Sequence, residues 1–131
     1  MKNLNAFLNP KRKDNIRFVL SDAFVGDDGN PVEWEMRELR ADESFELARM
    51  YDSNDLAEVI LTTIVHSLVE PNLKDTELLK ALSAREGRTI LEPTEALKVM
   101  LTDPEYAKLT SIYLDYTKIP SFNEAIEEIK N

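Results

Sequence analysis

The chain has no cysteine, three glycines, one histidine and no long apolar run, and each shortage removes a class of function. Without cysteine there is no disulfide framework, no thiolate metal site and no Cys-His nucleophile. The lone His66 cannot build a His-rich metal centre. It lies between Val65 and Ser67 in a stretch that reads as helix, with no motif to supply a positioned partner. A core-edge or surface histidine therefore fits better than a Ser-His-Asp arrangement. Three glycines leave no phosphate-cradling loop of the Walker or dinucleotide type, and no cofactor is implied. No window approaches the roughly 18 consecutive apolar residues of a membrane span, and the start of the chain lacks the order of a secretory signal. The cytoplasm is the simplest expectation.

What is present is ordinary for a folded protein: 131 residues, 43% apolar and 31% charged. That length supports one domain with a real core, since a chain of this size buries roughly two-thirds of its unfolded surface. The expected organisation is one domain over residues 1–131, with a strap and hairpin in 1–40 and an acidic helical region in 41–131. The net charge of −9 is uneven: residues 1–40 carry seven basic and seven acidic side chains, residues 41–131 nine and eighteen. Such a field repels phosphate backbones, so no nucleic-acid partner is expected. Lys11-Arg12-Lys13 reads as a short solvated edge.

The first third carries a period of two. Ile16, Phe18, Leu20 and Phe24 share one parity, and Val32, Trp34 and Met36 alternate with Glu33, Glu35 and Arg37. A two-residue Asp28-Gly29 loop would put Phe18, Leu20 and Phe24 on the wrong face. A three-residue loop, Asp27-Asp28-Gly29, pairs Phe24 with Val32 and Leu20 with Met36, with Gly29 at positive φ. Phe18, Leu20, Phe24, Gly29, Val32, Trp34 and Met36 are then the hairpin scaffold. Turn chemistry accounts for Asp27-Asp28-Gly29-Asn30, whose spacing does not match a calcium loop. Leu4, Phe7 and Leu8 precede the strands as either a disordered tail or a strap onto another subunit.

After Arg40 the period becomes about 3.6 and helices follow to the end. A short helix is expected near 42–51, then one capped by Ser53 or Asn54, carrying Leu56, Val59, Ile60, Ile64 and Leu68 and ending at Pro71. A third is capped by Asp75 or Thr76 and closes near Gly87. Pro93 opens a fourth with Leu97, Met100 and Leu101. Asp103-Pro104 starts a fifth, and Pro120 a last one with Phe122, Ile126 and Ile129. The fold class is α+β, mostly α: an N-terminal β-hairpin followed by a bundle of about five to six short helices. Tyr106, Leu109, Tyr113 and Tyr116 recur at three- and four-residue steps. The row reads either as the inner face of an amphipathic helix or as a partner groove, because tyrosine joins a large apolar body to a polar tip. No pair of carboxylates is placed in a cleft by any motif, so a binding or assembly protein is favoured over an enzyme.

Phe7-Leu8-Asn9-Pro10, the turn Asp27-Asp28-Gly29-Asn30-Pro31 and Val32-Glu33-Trp34-Glu35-Met36-Arg37 together resemble the start of the XkdN-like phage tail assembly chaperones. Val69-Glu70-Pro71-Asn72-Leu73 with Asp75 and Leu78 is similar to that family's central segment. Leu97, Met100-Leu101, Pro104-Glu105-Tyr106 and Leu109 resemble its C-terminal part. The resemblance implies a phage or prophage protein that binds the tape measure protein, keeps it soluble and assists tail tube assembly. It implies action in the bacterial cytoplasm and absence from the mature virion. The tail tube protein is a second candidate partner and self-assembly a further option. The rival expectation is a small acidic structural or adaptor protein retained in the phage tail.

Overall fold

The computed structural model describes residues 1–50 and 55–118. A short helix α1 (Leu4–Leu8) precedes strand β1 (Ile16–Phe18), the hairpin tip and strand β2 (Trp34–Met36). Helices α2 (Ala41–Met50) and α3 (Leu56–Ser67) follow, then a third strand β3 (Leu68–Glu70). Helices α4 (Thr76–Glu86), α5 (Pro93–Met100) and α6 (Asp103–Thr117) complete the described chain. The class is α+β and mostly α, as the periodicities imply.

The hairpin tip follows its turn chemistry. The Gly26 N–H donates to the Asn30 carbonyl at 2.8 Å, and the Gly29 N–H donates to the Gly26 carbonyl at 3.0 Å. Gly29 takes φ +84°, and the Asp28 carboxylate accepts from the Asn30 N–H at 3.0 Å. Val25 bridges Pro31, and the Val32 N–H donates to the Phe24 carbonyl, so this end has the expected register. Farther down, the expectation that Leu20 pairs with Met36 fails. There Ile16 pairs with Met36 and Phe18 with Trp34. A turn at Ser21 takes the intervening residues out of the ladder, and Leu20, only 1% exposed, drops directly into the core instead. Trp34 and Met36 are buried beside it, and Phe24 meets the Trp34 ring edge-on at 5.4 Å. Phe18 and Phe24 pack half-buried against this core, whereas Val32 is 38% exposed and lies outside it. On the other face of β2, Glu35 pairs with Arg17 at 3.1 Å and accepts from Asn15 at 2.9 Å.

The third strand departs from the expected helix ending at Pro71. Helix α3 stops at Ser67, and β3 adds to β2 antiparallel, with Met36 opposite Leu68 and Glu35 opposite Glu70. The step of one residue against two leaves a bulge at Val69. Pro71 disfavours helical geometry at Glu70, and the apolar Leu68 fits a strand as well as it fits the helical stripe. β2 is therefore the central strand of the order β1-β2-β3, and the helical region supplies part of the sheet.

Helix boundaries follow local chemistry. Asp55 caps α3, its carboxylate accepting from the Ala57 N–H; the expected caps Ser53 and Asn54 lie outside the described residues. Asp75 caps α4, and Gly87 ends it at φ +70°. Pro93 occupies the first turn of α5. In α6 the cap is Thr102, one residue before the expected Asp103, and it forms a reciprocal capping box with Glu105. The expected last helix with Phe122, Ile126 and Ile129 lies outside the described residues. One core joins Leu20, Trp34 and Met36 to Ile64 and Val65 of α3, Leu97 of α5 and Leu109 of α6.

Candidate partner-binding groove

The row Tyr106, Leu109, Tyr113 and Tyr116 divides by position along α6. Leu109 is fully buried, and Tyr113 and Tyr116 are less than a tenth exposed, so these three are core residues in this chain. Burial pushes both phenols up from their ordinary range. Tyr116 also fastens the N-terminal segment. Its hydroxyl donates to the Asp14 carbonyl at 3.1 Å, the Lys13 ammonium lies 4.3 Å from its ring centre, and Lys13 donates to its carbonyl. Lys11, Arg12 and Lys13 are all exposed, as the sequence implies, and the Lys13 ammonium is in addition docked on Tyr116. Tyr106 lies on the same helical face nearer the start of α6, where it is half-buried and lines a groove.

That groove has a volume of about 500 Å³ and lies between the first half of α3, the end of α5 and the start of α6. Ile60, Leu61, Leu97 and Leu101 give it an apolar lining, with Thr110 beside Tyr106. Glu58, Lys98 and Asp103 form its charged margin. The Lys98 ammonium reaches Glu58 at 3.1 Å and Glu95 at 3.6 Å, and the bond to Glu58 holds it above its usual range. Glu95 is also paired with Arg88 at 3.6 Å, so the margin of Glu58, Lys98 and Asp103 is acidic by one charge. The residues come together because Pro93 and the Thr102–Glu105 box fix where α5 and α6 begin. An apolar floor with a charged rim suits the apolar stripe of a helix.

His66 lies apart from the groove, half-buried beside a cavity of about 450 Å³ that Arg37, Lys74 and Asn15 also line. Burial, then the charges of Lys74 and Arg37, push its imidazole down. Among the described residues its ring has no hydrogen bond to a serine or carboxylate, no group of three metal-ligating side chains exists, and no helix is long and apolar enough to cross a membrane. Sequence reasoning placed Ile60, Leu97 and Leu101 on apolar stripes but did not see that they leave a groove. Their spacing marks a face without saying whether a neighbour covers it.

A model of the phage XkdN-like tail assembly chaperone proteins matches residues 4–130. The chain belongs to this family. The chaperone also shares its fold with the crystal structure of the protein YqbN, with a TM-score of 0.75 and 22% identity over 92% of this chain and 99% of the other. No curated protein matches it. Membership makes the chaperone a phage tail assembly protein.

Proposed function

We propose that this chaperone binds the phage tape measure protein in the host cytoplasm, keeps it soluble, and assists tail tube assembly without remaining in the virion. Family membership supports the class of function, and the α3/α5/α6 groove supports the surface. A tape measure chain is long and helical and would aggregate unless its apolar stripes were covered. The groove accepts such a stripe, with Tyr106 as its aromatic anchor, while Leu109, Tyr113 and Tyr116 hold α6 in place from behind. The net charge of −9 keeps the complex dispersed.

Co-expression with the tape measure protein tests this directly. The wild-type chain should raise the soluble fraction of the client, and Tyr106→Asp should abolish the gain while circular dichroism stays native. Unchanged solubilisation by that folded variant would reject the groove. Recovery of the chain in stoichiometric amount from purified virions, by mass spectrometry, would favour a retained structural component instead.

A further inference from the structure

The opening arm of the chain is chemically unlike the rest of it. Residues 1–13 contain four basic side chains and no acidic one, on a chain whose net charge is −9. Within the arm, Leu4, Phe7 and Leu8 stand at i, i+3 and i+4 on α1, so they form one apolar face. That face is unpartnered: the three side chains are 52%, 69% and 67% exposed. The molecule therefore displays, at one place, a short uncharged helix with an open apolar face, flanked in sequence by Lys2, Lys11 and Arg12, and, at another, an apolar groove whose charged margin is acidic on balance.

We propose that the arm of one copy docks into the α3/α5/α6 groove of a second copy, with Phe7 and Leu8 on the apolar floor and Lys2, Lys11 and Arg12 toward the acidic rim. Charge complementarity selects this occupant, because the rim disfavours an acidic helix and the remainder of the chain is acidic. The arm's placement selects the second copy over its own groove. Lys13 is held at Tyr116, and Tyr106 lies ten residues back along α6, about 15 Å at 1.5 Å per residue. The five steps from Lys13 to Leu8 span at most about 18 Å when fully stretched. The arm's own groove is thus within stretched reach, yet the structure leaves Phe7 and Leu8 outside it, 69% and 67% exposed, and a neighbour's groove accepts them without rearranging the chain. Exchange about a two-fold axis uses both arms and both grooves. A five-residue arm is small for a stable interface even when doubled, so the association is in the micromolar range or weaker. The inference shares its groove with the proposed client site, and the arm then occupies that site until a client displaces it.

The test uses the full chain and no client. Sedimentation across roughly 1 µM to 1 mM protein should show a concentration-dependent dimer that weakens as salt rises, since rim and arm charges are screened. Phe7→Asp with Leu8→Asp, both on exposed residues, should weaken it by at least about tenfold. Because the chain lacks cysteine, Asn5→Cys accepts a single spin label. Mixed with isotope-labelled wild-type chains, which carry no cysteine and hence no spin label, it should broaden the amides of Leu97, Leu101 and Thr110. A monomer at every concentration overturns the proposal, as does a dimer indifferent to the arm variant. Broadening that appears only when the spin label and the isotope label are on the same chain, and not in the mixture, overturns it in favour of the arm's own groove. Each of these failures leaves tape measure binding untouched, since the co-expression assay reads that separately.

Discussion

Replacing Glu43 by glutamine should remove a pH-dependent tie between the hairpin and α2. The Glu43 carboxylate accepts both guanidinium N–H groups of Arg37, at 3.0 and 2.8 Å, and the Arg40 N–H at 2.9 Å. It is the third residue of α2 and back-bonds to the residue before the helix, half of a capping box. The Arg37 hydrogen bonds, then the Arg40 N–H, hold its carboxyl at about 2 against an ordinary 4.5. Taken at face value, 1.36 kcal/mol per tenfold makes this ~3 kcal/mol. The side chain is 35% exposed, and water and salt screen such a pair, so ~1 kcal/mol is the working figure. A depressed folded pKa contributes stability that is complete above about 4.5 and lost as pH falls toward about 2. Urea unfolding followed by fluorescence of Trp34, the one tryptophan and 2% exposed, reads this out. At neutral pH, Glu43→Gln should lower the midpoint by roughly 0.5 M, given a slope near 2 kcal/mol/M. Other carboxylates titrate equally in both proteins, so the difference between them isolates Glu43. It should vanish by about pH 2. A difference that stays constant with pH, or is absent at neutral pH, would refute the reasoning.

Three further outcomes can be checked in the same assay. Leu109→Ala empties a fully buried site in the middle of α6 and should destabilise by about 2 to 5 kcal/mol. Gly29→Ala meets no atom within 4 Å but must hold φ +84°, so it should lose about 1 kcal/mol, with the hairpin loop amides shifting in the NMR spectrum. Thr62→Val replaces a buried hydroxyl that has no hydrogen-bond partner among the described residues, and should raise stability by about 1 kcal/mol. A Thr62→Val protein less stable than wild type would mean that its hydroxyl is satisfied after all.

The parts of the fold readable from sequence are those fixed by local chemistry. Asp28 and Gly29 specify the hairpin tip, Asp75 and Gly87 bracket α4, and Pro93 opens α5, because each acts on atoms a few residues away. The parts that were not readable are tertiary choices. Leu20 satisfies a strand pattern equally well inside or outside the ladder, and only the helices packed beneath decide that it enters the core. Leu68 continues the α3 stripe and yet begins a strand, since β2 offers it a ladder that sequence does not display. At the candidate site, Tyr106 was visible as part of a row, but the row's other three members face the core. The groove exists because α3, α5 and α6 part at one end, a property of three elements together.

The contact of Tyr116 with Lys13 and Asp14 joins positions 103 and 102 residues apart. Closing a loop of that length costs roughly 4 kcal/mol in chain entropy before any constant term. Two hydrogen bonds, one of them from the Lys13 ammonium, and one cation–π contact contribute about 2 to 4 kcal/mol together, which does not exceed that cost. The clasp can therefore form only after the intervening core has already brought the two ends near each other. On the ribosome, the N-terminal segment emerges early and stays untethered until the end of α6 has been synthesised. Protection of the clasp is then a late timestamp on folding, and its loss under mild denaturant should precede loss of the sheet.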